Sequence, residues 1–246
     1  MNKTKVLVIA TNAGRILLES GAETYRVEET IRTIARHYGY SINSYSTLTG
    51  IISTLEDKNG NYITNTLRIN KRTMNLDKIH KIYEVSKNLE NFTIDELEKN
   101  LNSIEEEKGY KYSTNLIAYA LSAGSFTLLF GGNMRDFLGS CLIGIVIYLY
   151  LNLLSPFDIN KFFVSGLGGA IIALLGIIFY KSSFIFSKDL TIIGSMMLLV
   201  PGMALTNALR DIINGDLMAG IARGLEAFFI ATSLAVGSGF ILTIFK

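Results

Sequence analysis

The balance of apolar and polar residues changes near Asn115 and divides the chain into two parts. Charged residues occupy 31 of the first 115 positions but only 13 of the remaining 131, where they lie mostly between long apolar runs. Because hydrocarbon cannot hydrogen-bond to a peptide group, such runs are viable as spanning helices, which satisfy their own backbones. The pattern therefore predicts a membrane protein in which a small α+β soluble domain, residues 1–110, precedes a transmembrane domain, residues 111–246.

Five apolar runs follow the polar part. Each has about the 20 residues that a helix needs to cross the hydrocarbon core of a bilayer, and the connections between them are short and polar. The runs cover residues 112–130, 137–154, 162–180, 190–209 and 225–245. We therefore expect an α-helical membrane protein with about five transmembrane helices.

The basic residues in the connections indicate on which side of the membrane the soluble domain lies. A soluble domain in the cytoplasm would put five of them inside and four outside, in the direction of the positive-inside rule. Those inside would be Lys108, Lys111, Lys161, Arg210 and Arg223, and those outside Arg135, Lys181, Lys188 and Lys246. This small excess favours a cytoplasmic soluble domain.

Apolar residues recur at helical spacing in four stretches of the polar part and alternate along two others. The helical stretches are residues 6–17, 27–38, 76–89 and 94–104, and strands are predicted within 40–55 and 63–69. Residues 57–60, Asp-Lys-Asn-Gly, have the composition of a hairpin turn. Thr93 and Glu96 have the spacing of a capping box. The order helix, helix, strands, helix, helix predicts an α+β domain.

Composition excludes several kinds of site. Cys141 is the only cysteine, so the chain can form neither a disulfide framework nor a cysteine metal site. His37 and His80 have no second ligand at metal-site spacing, and no phosphate-binding loop, HExxH motif or GxSxG elbow is present. Basic residues are interleaved with acidic ones and the net charge is only +2. We therefore expect no metal, no cofactor and no nucleic-acid partner.

Pro201 and Gly202 lie inside the fourth apolar run. Proline removes a backbone donor and glycine adds backbone freedom, so the helix is expected to kink or break there. One interpretation is a simple kink. The other is a discontinuous helix whose exposed backbone groups bind a substrate, as in transporter sites at membrane depth.

Polar and charged residues are concentrated just after the predicted break. Asn207, Arg210 and Asp211 share one helical face, and Arg223 and Glu226 follow at a spacing of three. Ionisable groups at the membrane edge are costly and usually face a partner or an aqueous cavity. The segment is either an interfacial loop with solvated charges or a polar cavity with one cation site and one or two anion sites. Such a cavity would suit a zwitterion or a carboxylate.

Small residues recur at helical spacing in the last part of the chain. Gly220 and Gly224 form a GxxxG motif, and Ser233 with Gly237 repeats the spacing. Because small residues let helices approach closely, we interpret both pairs as helix-packing surfaces.

Residues 19–30 are unusually rich in functional groups. Helix caps and i,i+4 pairs on a solvated face would explain them. However, the linker from the soluble domain to the first span has only a few residues, and each adds at most about 3.5 Å of reach. Five spans would also put residues 210–224 on the same membrane face as that domain. We therefore expect part of the soluble domain to form a vestibule over the polar cavity. The predicted vestibule residues are Glu23, Thr24, Arg26 and Glu28.

Three of these stretches closely resemble the threonine/serine exporter family. They are residues 21–30 (GAETYRVEET), 201–216 (PGMALTNALRDIINGD) and 219–226 (AGIARGLE). The chain is similar to the family's amino-terminal half, which in bacteria occurs as a separate protein, the larger subunit of a split exporter. The resemblance covers essentially the whole chain. It implies a multi-pass subunit of the bacterial cytoplasmic membrane that exports threonine, serine or, as one such pair does, succinate.

The resemblance also implies partners, and the broken fourth run with the charged segment after it suggests residue roles. The expected partners are the small-molecule substrate, membrane lipid, a second and smaller membrane subunit, and further copies of the chain. For an exporter driven by a cation gradient, Arg210 would bind a substrate carboxylate, and a nearby acid would bind an ammonium group or carry a proton. The predicted substrate-binding residues are Thr206, Asn207, Arg210, Asp211, Asp216, Arg223 and Glu226.

Two other classes of function remain open. Paired carboxylates can do acid–base work, so the soluble domain could be a hydrolase beside the membrane, with Glu23, Thr24 and Glu28 as candidate catalytic groups. Alternatively, the chain could be a scaffold or a sensor that regulates a partner's pore.

Overall fold

The computed structural model describes residues 3–56, 60–157 and 159–245. Its contacts divide the chain into two compact units. The first unit comprises Met1–Lys108 and Met203–Gly224, and the second comprises Gly109–Gly202 and Leu225–Lys246. Residues 57–59 of the predicted hairpin turn lie outside the described residues.

The described part of the chain is mostly helical, with ten α-helices, a short 3₁₀ helix at Leu89–Asn91 and one small sheet. The first elements are α1 Lys3–Glu19, α2 Thr24–His37, β1 Ser41–Thr47, β2 Gly50–Glu56, β3 Tyr62–Arg68, α3 Leu76–Lys87 and α4 Ile94–Glu106. They are followed by α5 Tyr112–Leu129, α6 Met134–Leu154, α7 Lys161–Lys181, α8 Lys188–Met196, α9 Gly202–Ile213 and α10 Leu217–Ile244. Helix α10 contributes residues to both units.

The core of the first unit is built around α1. Leu7, Ala10 and Leu18 are fully buried on it, since α2, α3, α4 and the sheet pack around this helix. The three strands are antiparallel in the order β1-β2-β3. Alternate residues such as Ile51 and Leu55 are buried, as the two-residue period of a half-covered sheet requires. These elements follow in the order that the sequence pattern indicates.

The predicted capping box is present at the start of α4. The hydroxyl of Thr93 accepts from the backbone N–H of Glu96, and the Glu96 carboxylate accepts from the backbone N–H of Thr93. Two backbone donors that the helix itself cannot satisfy are thereby paired.

The fourth apolar run is not one continuous helix. Helix α8 ends at Met196 and α9 begins at Gly202, so residues 197–201 are not α-helical. Pro201 has no N–H to donate, and its ring would clash with a carbonyl one turn earlier in a continuing helix. The two helices have 9 and 12 residues, each well short of the roughly 20 that cross a bilayer core.

Helix α9 belongs to the first unit from Met203 onward, together with the start of α10 up to Gly224. The division of the sequence at residue 110 left this segment in the transmembrane domain. Its contacts place it in the first unit, because its polar side chains bind groups at the start of α2.

The second unit is formed by helices α5 to α8 and by the later part of α10. Asp136 is buried at the start of α6, where it accepts backbone hydrogen bonds from Phe186 (2.7 Å) and Ser187 (2.9 Å). The packing depends on small residues, since a Cβ atom on Gly237 would overlap the carbonyl oxygen of Gly166. Ser233 and Gly237 thus allow close helix approach, as expected.

Three helices of the described chain are long and apolar enough to cross a membrane, namely α6, α7 and α10. Most of their residues are not buried within the protein, which leaves apolar side chains free to meet lipid. The prediction of five spans is not confirmed, since α8 and α9 are short and α5 carries polar residues such as Asn115 in its first turn.

Candidate functional site

The connection between α1 and α2 provides two of the backbone acceptors in a polar cluster of the first unit. Gly21 has a φ of +89°, and a Cβ atom there would lie 3.0 Å from the carbonyl oxygen of Thr73, so this position requires glycine. Its carbonyl accepts a hydrogen bond from Asn207 Nδ2 at 3.0 Å. Arg223 donates to the carbonyls of Gly21 (3.3 Å) and Ala22 (3.0 Å).

Arg223 and Asp211 form a buried ion pair. Arg223 Nε lies 3.2 Å from Asp211 Oδ2, and the two side chains are 5% and 0% exposed. Two charges buried this deeply are tolerated only when further hydrogen bonds satisfy them. The Gly21 and Ala22 carbonyls satisfy Arg223, and Thr24 satisfies the other oxygen of Asp211. We conclude that this pair fixes the α1–α2 connection onto α9 and α10.

Thr24 bridges two carboxylates at the start of α2. Its backbone N–H donates to Asp211 Oδ1 at 3.0 Å, and its hydroxyl lies 3.0 Å both from that oxygen and from Asp216 Oδ2. A threonine hydroxyl has one hydrogen, so it can donate to only one of these oxygens at a time. Both short contacts are satisfied together when the hydroxyl accepts from one carboxyl group in its protonated form.

Burial is the main influence on Asp211, and it raises the pKa of this carboxyl group above the ordinary value. The positive charge of Arg223 and the two hydrogen bonds from Thr24 act in the opposite direction, and the charge of Asp216 raises the pKa further. The net direction is upward, which favours uptake of a proton by Asp211.

Arg210 is the most accessible charged group of the cluster. Its side chain is 50% exposed, and it donates to Glu23 Oε1 at 2.7 Å, while Glu23 itself is 5% exposed. The second oxygen of Glu23 lies 3.4 Å from Arg26 Nε. Burial acts to raise the pKa of Glu23, but the hydrogen bond from Arg210 and the charges of Arg26 and Arg210 outweigh it, so the pKa lies below its ordinary value.

The side-chain oxygen of Asn207 is a buried acceptor that has no hydrogen-bond donor among the described residues. Its Nδ2 donates to Gly21, but its Oδ1 is buried and has no hydrogen-bond donor. A buried acceptor without a donor is costly in a folded protein. It therefore marks a position where a ligand or water could donate a hydrogen bond.

Several predicted site residues lie outside this cluster. Glu28 accepts from the backbone N–H of Ser46 at 2.7 Å, and burial raises its pKa. Glu226 belongs to the second unit, where it lies 3.5 Å from Lys161. Thr206 is exposed on α9.

Apart from Thr206 and Glu226, the predicted residues separate into three groups. The polar cluster contains Glu23, Thr24, Asn207, Arg210, Asp211, Asp216 and Arg223, with Arg26 at its edge. Glu28 lies nearby and interacts electrostatically with Asp216. Pro201 and Gly202 lie at the junction of α8 and α9. The prediction that these residues bind substrate stays a prediction.

Sequence reasoning missed two features of these sites. The carbonyls of Gly21 and Ala22 carry no side-chain signal, although a glycine just after a helix could have indicated the turn that presents them. Asp136 was also missed, and here a signal existed. Asn133 and Asp136 have the spacing of a capping box, which the structure shows at the start of α6.

Comparison with known proteins identifies the family. The family model described as "Putative threonine/serine exporter" matches residues 8–245. The chain belongs to this exporter family. The resemblance of the three motif stretches is thereby confirmed, and the family together with the apolar helices α6, α7 and α10 identifies a membrane exporter.

Two curated relatives share similarity over nearly their whole length. The "Probable succinate transporter subunit YjjP" of Escherichia coli (strain K12) is 23% identical over 241 residues, which cover 96% of this chain and 93% of the relative. The protein of the same name from Klebsiella aerogenes is 24% identical over 232 residues, which cover 90% of this chain and 86% of the relative. No solved structure matches the chain.

Proposed function

We propose that this exporter is one subunit of a transporter that moves threonine or serine out of the cell, and that Arg210 binds the substrate carboxylate. The observation that carries the proposal is the Arg210–Glu23 contact. A half-exposed guanidinium is held by a buried carboxylate at 2.7 Å, beside a buried acceptor, Asn207 Oδ1, that lacks a donor among the described residues.

The proposed exchange is a competition between two carboxylates for one arginine. A substrate carboxylate reaching Arg210 takes the place of Glu23, because a guanidinium binds either carboxylate with similar geometry. The substrate's ammonium group is then available to donate to Asn207 Oδ1 and to the Asp211 and Asp216 pair.

The charge balance of the cluster favours an amino acid. Three arginines and three carboxyl groups belong to the cluster, which is neutral when all six are charged; they are Arg26, Arg210, Arg223, Glu23, Asp211 and Asp216. A zwitterion leaves this balance unchanged, whereas a dicarboxylate adds two negative charges to a partly buried site. Succinate is the second candidate because both curated relatives are named as subunits for it.

Proton coupling fits the same residues. Asp211 has a raised pKa, and Thr24 connects it to Asp216 through a single hydroxyl. Such a pair can hold a proton in one state and release it when the substrate changes the local charge. We therefore propose that a proton gradient drives export, with Asp211 as the carrier.

We base the proposed membrane topology on a contact within the first unit. Thr24 and Asp211 are hydrogen-bonded, so both lie on one side of the membrane and the chain between them crosses it an even number of times. Five spans satisfy this condition, because the apolar runs at residues 112–130, 137–154, 162–180 and 190–209 supply four crossings before Arg210. We propose this arrangement with the soluble part in the bacterial cytoplasm, together with a second, smaller membrane subunit.

An export assay tests the substrate assignment. Cells that express the chain with its partner subunit are loaded with a threonine dipeptide, a serine dipeptide or succinate, and efflux is measured. Arg210→Ala should reduce efflux of the true substrate about tenfold or more, because a charged hydrogen bond is lost. Arg36→Ala, at the end of α2 and away from the cluster, is the matched control.

The outcomes separate the three classes of function. Equal efflux from wild type and Arg210→Ala, with the partner still co-purifying, would favour a scaffold role. A hydrolase is disfavoured because Glu23 and Thr24 are already engaged with Arg210 and Asp211. The hydrolase hypothesis would be supported if the purified chain hydrolysed ester or peptide substrates and the Glu23→Gln variant did not.

A further inference from the structure

A cleft on the first unit shares only Arg26 with the polar cluster of the proposed transport site. It has a volume of about 510 Å³ and lies among residues of α1, α2 and α3. Clefts of about 300–1,000 Å³ are typical of small-molecule binding sites. The cleft is therefore large enough for an organic ligand with a ring or a comparable apolar body.

Two basic residues stand against aromatic rings in the cleft wall. Arg26 Cζ is 5.9 Å from the centre of the Tyr25 ring, and Lys87 Nζ is 4.3 Å from the centre of the Tyr83 ring. One acidic residue, Glu29, also lines the cleft, so its charged lining has an excess of one positive charge. A charged group of a ligand bound between these cations would be negative.

The remaining wall suits the body of such a ligand. Leu17 and Ile79 provide apolar contact, and the hydroxyl groups of Thr30, Thr33 and Ser86 provide a few polar positions. An apolar wall with a small number of fixed polar groups is the usual construction of a ligand site. The exposed ring of Tyr83 also offers a surface on which a flat ligand can stack.

Arg26 connects this cleft with the polar cluster. Its Nε lies 3.4 Å from Glu23 Oε2, and the other oxygen of Glu23 accepts from Arg210 at 2.7 Å. An anion that draws Arg26 into the cleft therefore competes with Glu23 for this guanidinium. Released from Arg26, Glu23 pairs with Arg210 alone.

We propose that this cleft binds an organic anion with an aromatic body, whose carboxylate or phosphate group contacts Arg26 and Lys87. By taking Arg26 from Glu23, the ligand strengthens the hold of Glu23 on Arg210 and so opposes substrate entry. The binding site stands independently of transport, whereas this inhibitory effect rests on the proposed function.

Binding to the purified full-length chain in detergent tests the site. The probes are AMP for an aromatic phosphate, phenylpyruvate for an aromatic carboxylate, and adenosine as the uncharged control. At least one anion should bind. The affinity for adenosine should be lower by about tenfold or more, because adenosine lacks the charged contact. AMP alone would identify a phosphate ligand, and phenylpyruvate alone a carboxylate. Failure of both anions would overturn the proposal.

Substitutions locate the bound anion. Lys87→Ala should weaken binding about tenfold, whereas Lys99→Ala, an exposed lysine on α4 outside the cleft, should leave it unchanged. Glu23→Gln should tighten binding several-fold, since the competing carboxylate is removed. Lys87 and Lys99 are both exposed, so replacing either one with alanine should leave the fold intact.

Two results would contradict the proposal. Equal affinities of the Lys87→Ala and Lys99→Ala variants would show that the cleft is not the site, and an unchanged affinity in Glu23→Gln would remove the link to the polar cluster. Loss of anion binding in Arg210→Ala, with binding retained in Lys87→Ala, would assign the anion to the proposed transport site instead. If Arg210→Ala did not reduce efflux in the export assay, the result on anion binding in the cleft would still stand.

Discussion

Two carboxyl groups of the polar cluster have pKa values displaced in opposite directions. The pKa of Asp211 is raised mainly by burial, whereas that of Glu23 is lowered because contacts with Arg210 and Arg26 outweigh its burial. Groups whose environments separate their pKa values in this way are suited to different tasks. At the residue scale, Glu23 is suited to remain charged and hold an arginine, while Asp211 is suited to exchange a proton.

The lowered pKa of Glu23 predicts a pH-dependent effect of Glu23→Gln. A carboxyl group whose pKa is lower in the folded protein stabilises it above its unfolded pKa, near 4.5, and loses that contribution as the pH falls through the folded value. Because Arg210 is half exposed, we expect the substitution to cost about 1 kcal/mol at pH 7. The apparent Tm of the purified protein, measured from pH 7 to pH 3.5, should show a difference between wild type and variant that shrinks below pH 4.5. A constant difference across this range would contradict the assigned charge of Glu23.

At the scale of elements, the start of α10 packs closely against α9. A Cβ atom on Gly220 would lie 2.8 Å from the carbonyl oxygen of Ala208 and 3.0 Å from the backbone nitrogen of Ile212. At Gly224 the nearest atom would be Ala208 Cβ at 3.8 Å, an ordinary contact. The two glycines of the GxxxG motif therefore differ, since only the first is needed for close backbone approach.

This difference predicts opposite effects for two alanine substitutions. Gly220→Ala should destabilise the protein by about 1–3 kcal/mol, because the α9 backbone must move. Gly224→Ala should be neutral or stabilise it by up to about 1 kcal/mol, because alanine favours the helix over glycine. Thermal unfolding of the two variants in the same detergent measures both effects, and each serves as the other's control. If both variants lose stability equally, the close approach at Gly220 is not specific.

At the scale of the whole molecule, the first unit joins two segments that are far apart in sequence. Residues up to Lys108 and residues from Met203 to Gly224 share one unit. In the proposed topology, the intervening chain therefore leaves and returns to the same membrane face. Two or four crossings in that chain both satisfy this condition. With two crossings, only α6 and α7 span the membrane in this part of the chain. With four crossings, helix α5 and the region of α8 span it as well.

Cysteine accessibility distinguishes the two arrangements. Ser155 and Ser182 are exposed at the ends of α6 and α7, and each is replaced by cysteine in a Cys141→Ala background. For a cytoplasmic soluble part, five spans place residue 155 inside and residue 182 outside, whereas three spans reverse this. A membrane-impermeant maleimide applied to intact spheroplasts should label Ser182→Cys and spare Ser155→Cys. Labelling of Ser155→Cys alone would contradict the five-span proposal.

The sequence by itself determined the features that depend on local pattern. Charge density separated the polar part from the apolar part, two-residue and helical periods indicated the sheet and the helices, and Pro201 with Gly202 indicated the break in the fourth apolar run. The capping box at Thr93 was also readable, because its two residues are close in sequence. Each of these features arises from interactions within a few residues or from the solvent that a segment requires.

Only the tertiary structure decided which distant groups meet. The hydrogen bond between Thr24 and Asp211, and the use of the Gly21 carbonyl as an acceptor for Asn207, depend on contacts between segments nearly 200 residues apart. A helical-face argument grouped Arg210 with Asp211, but the structure gives the two residues different partners and exposures. Helix α9 belongs to the first unit for the same reason, since its residues Asn207, Arg210 and Asp211 are hydrogen-bonded to groups of residues 21–24.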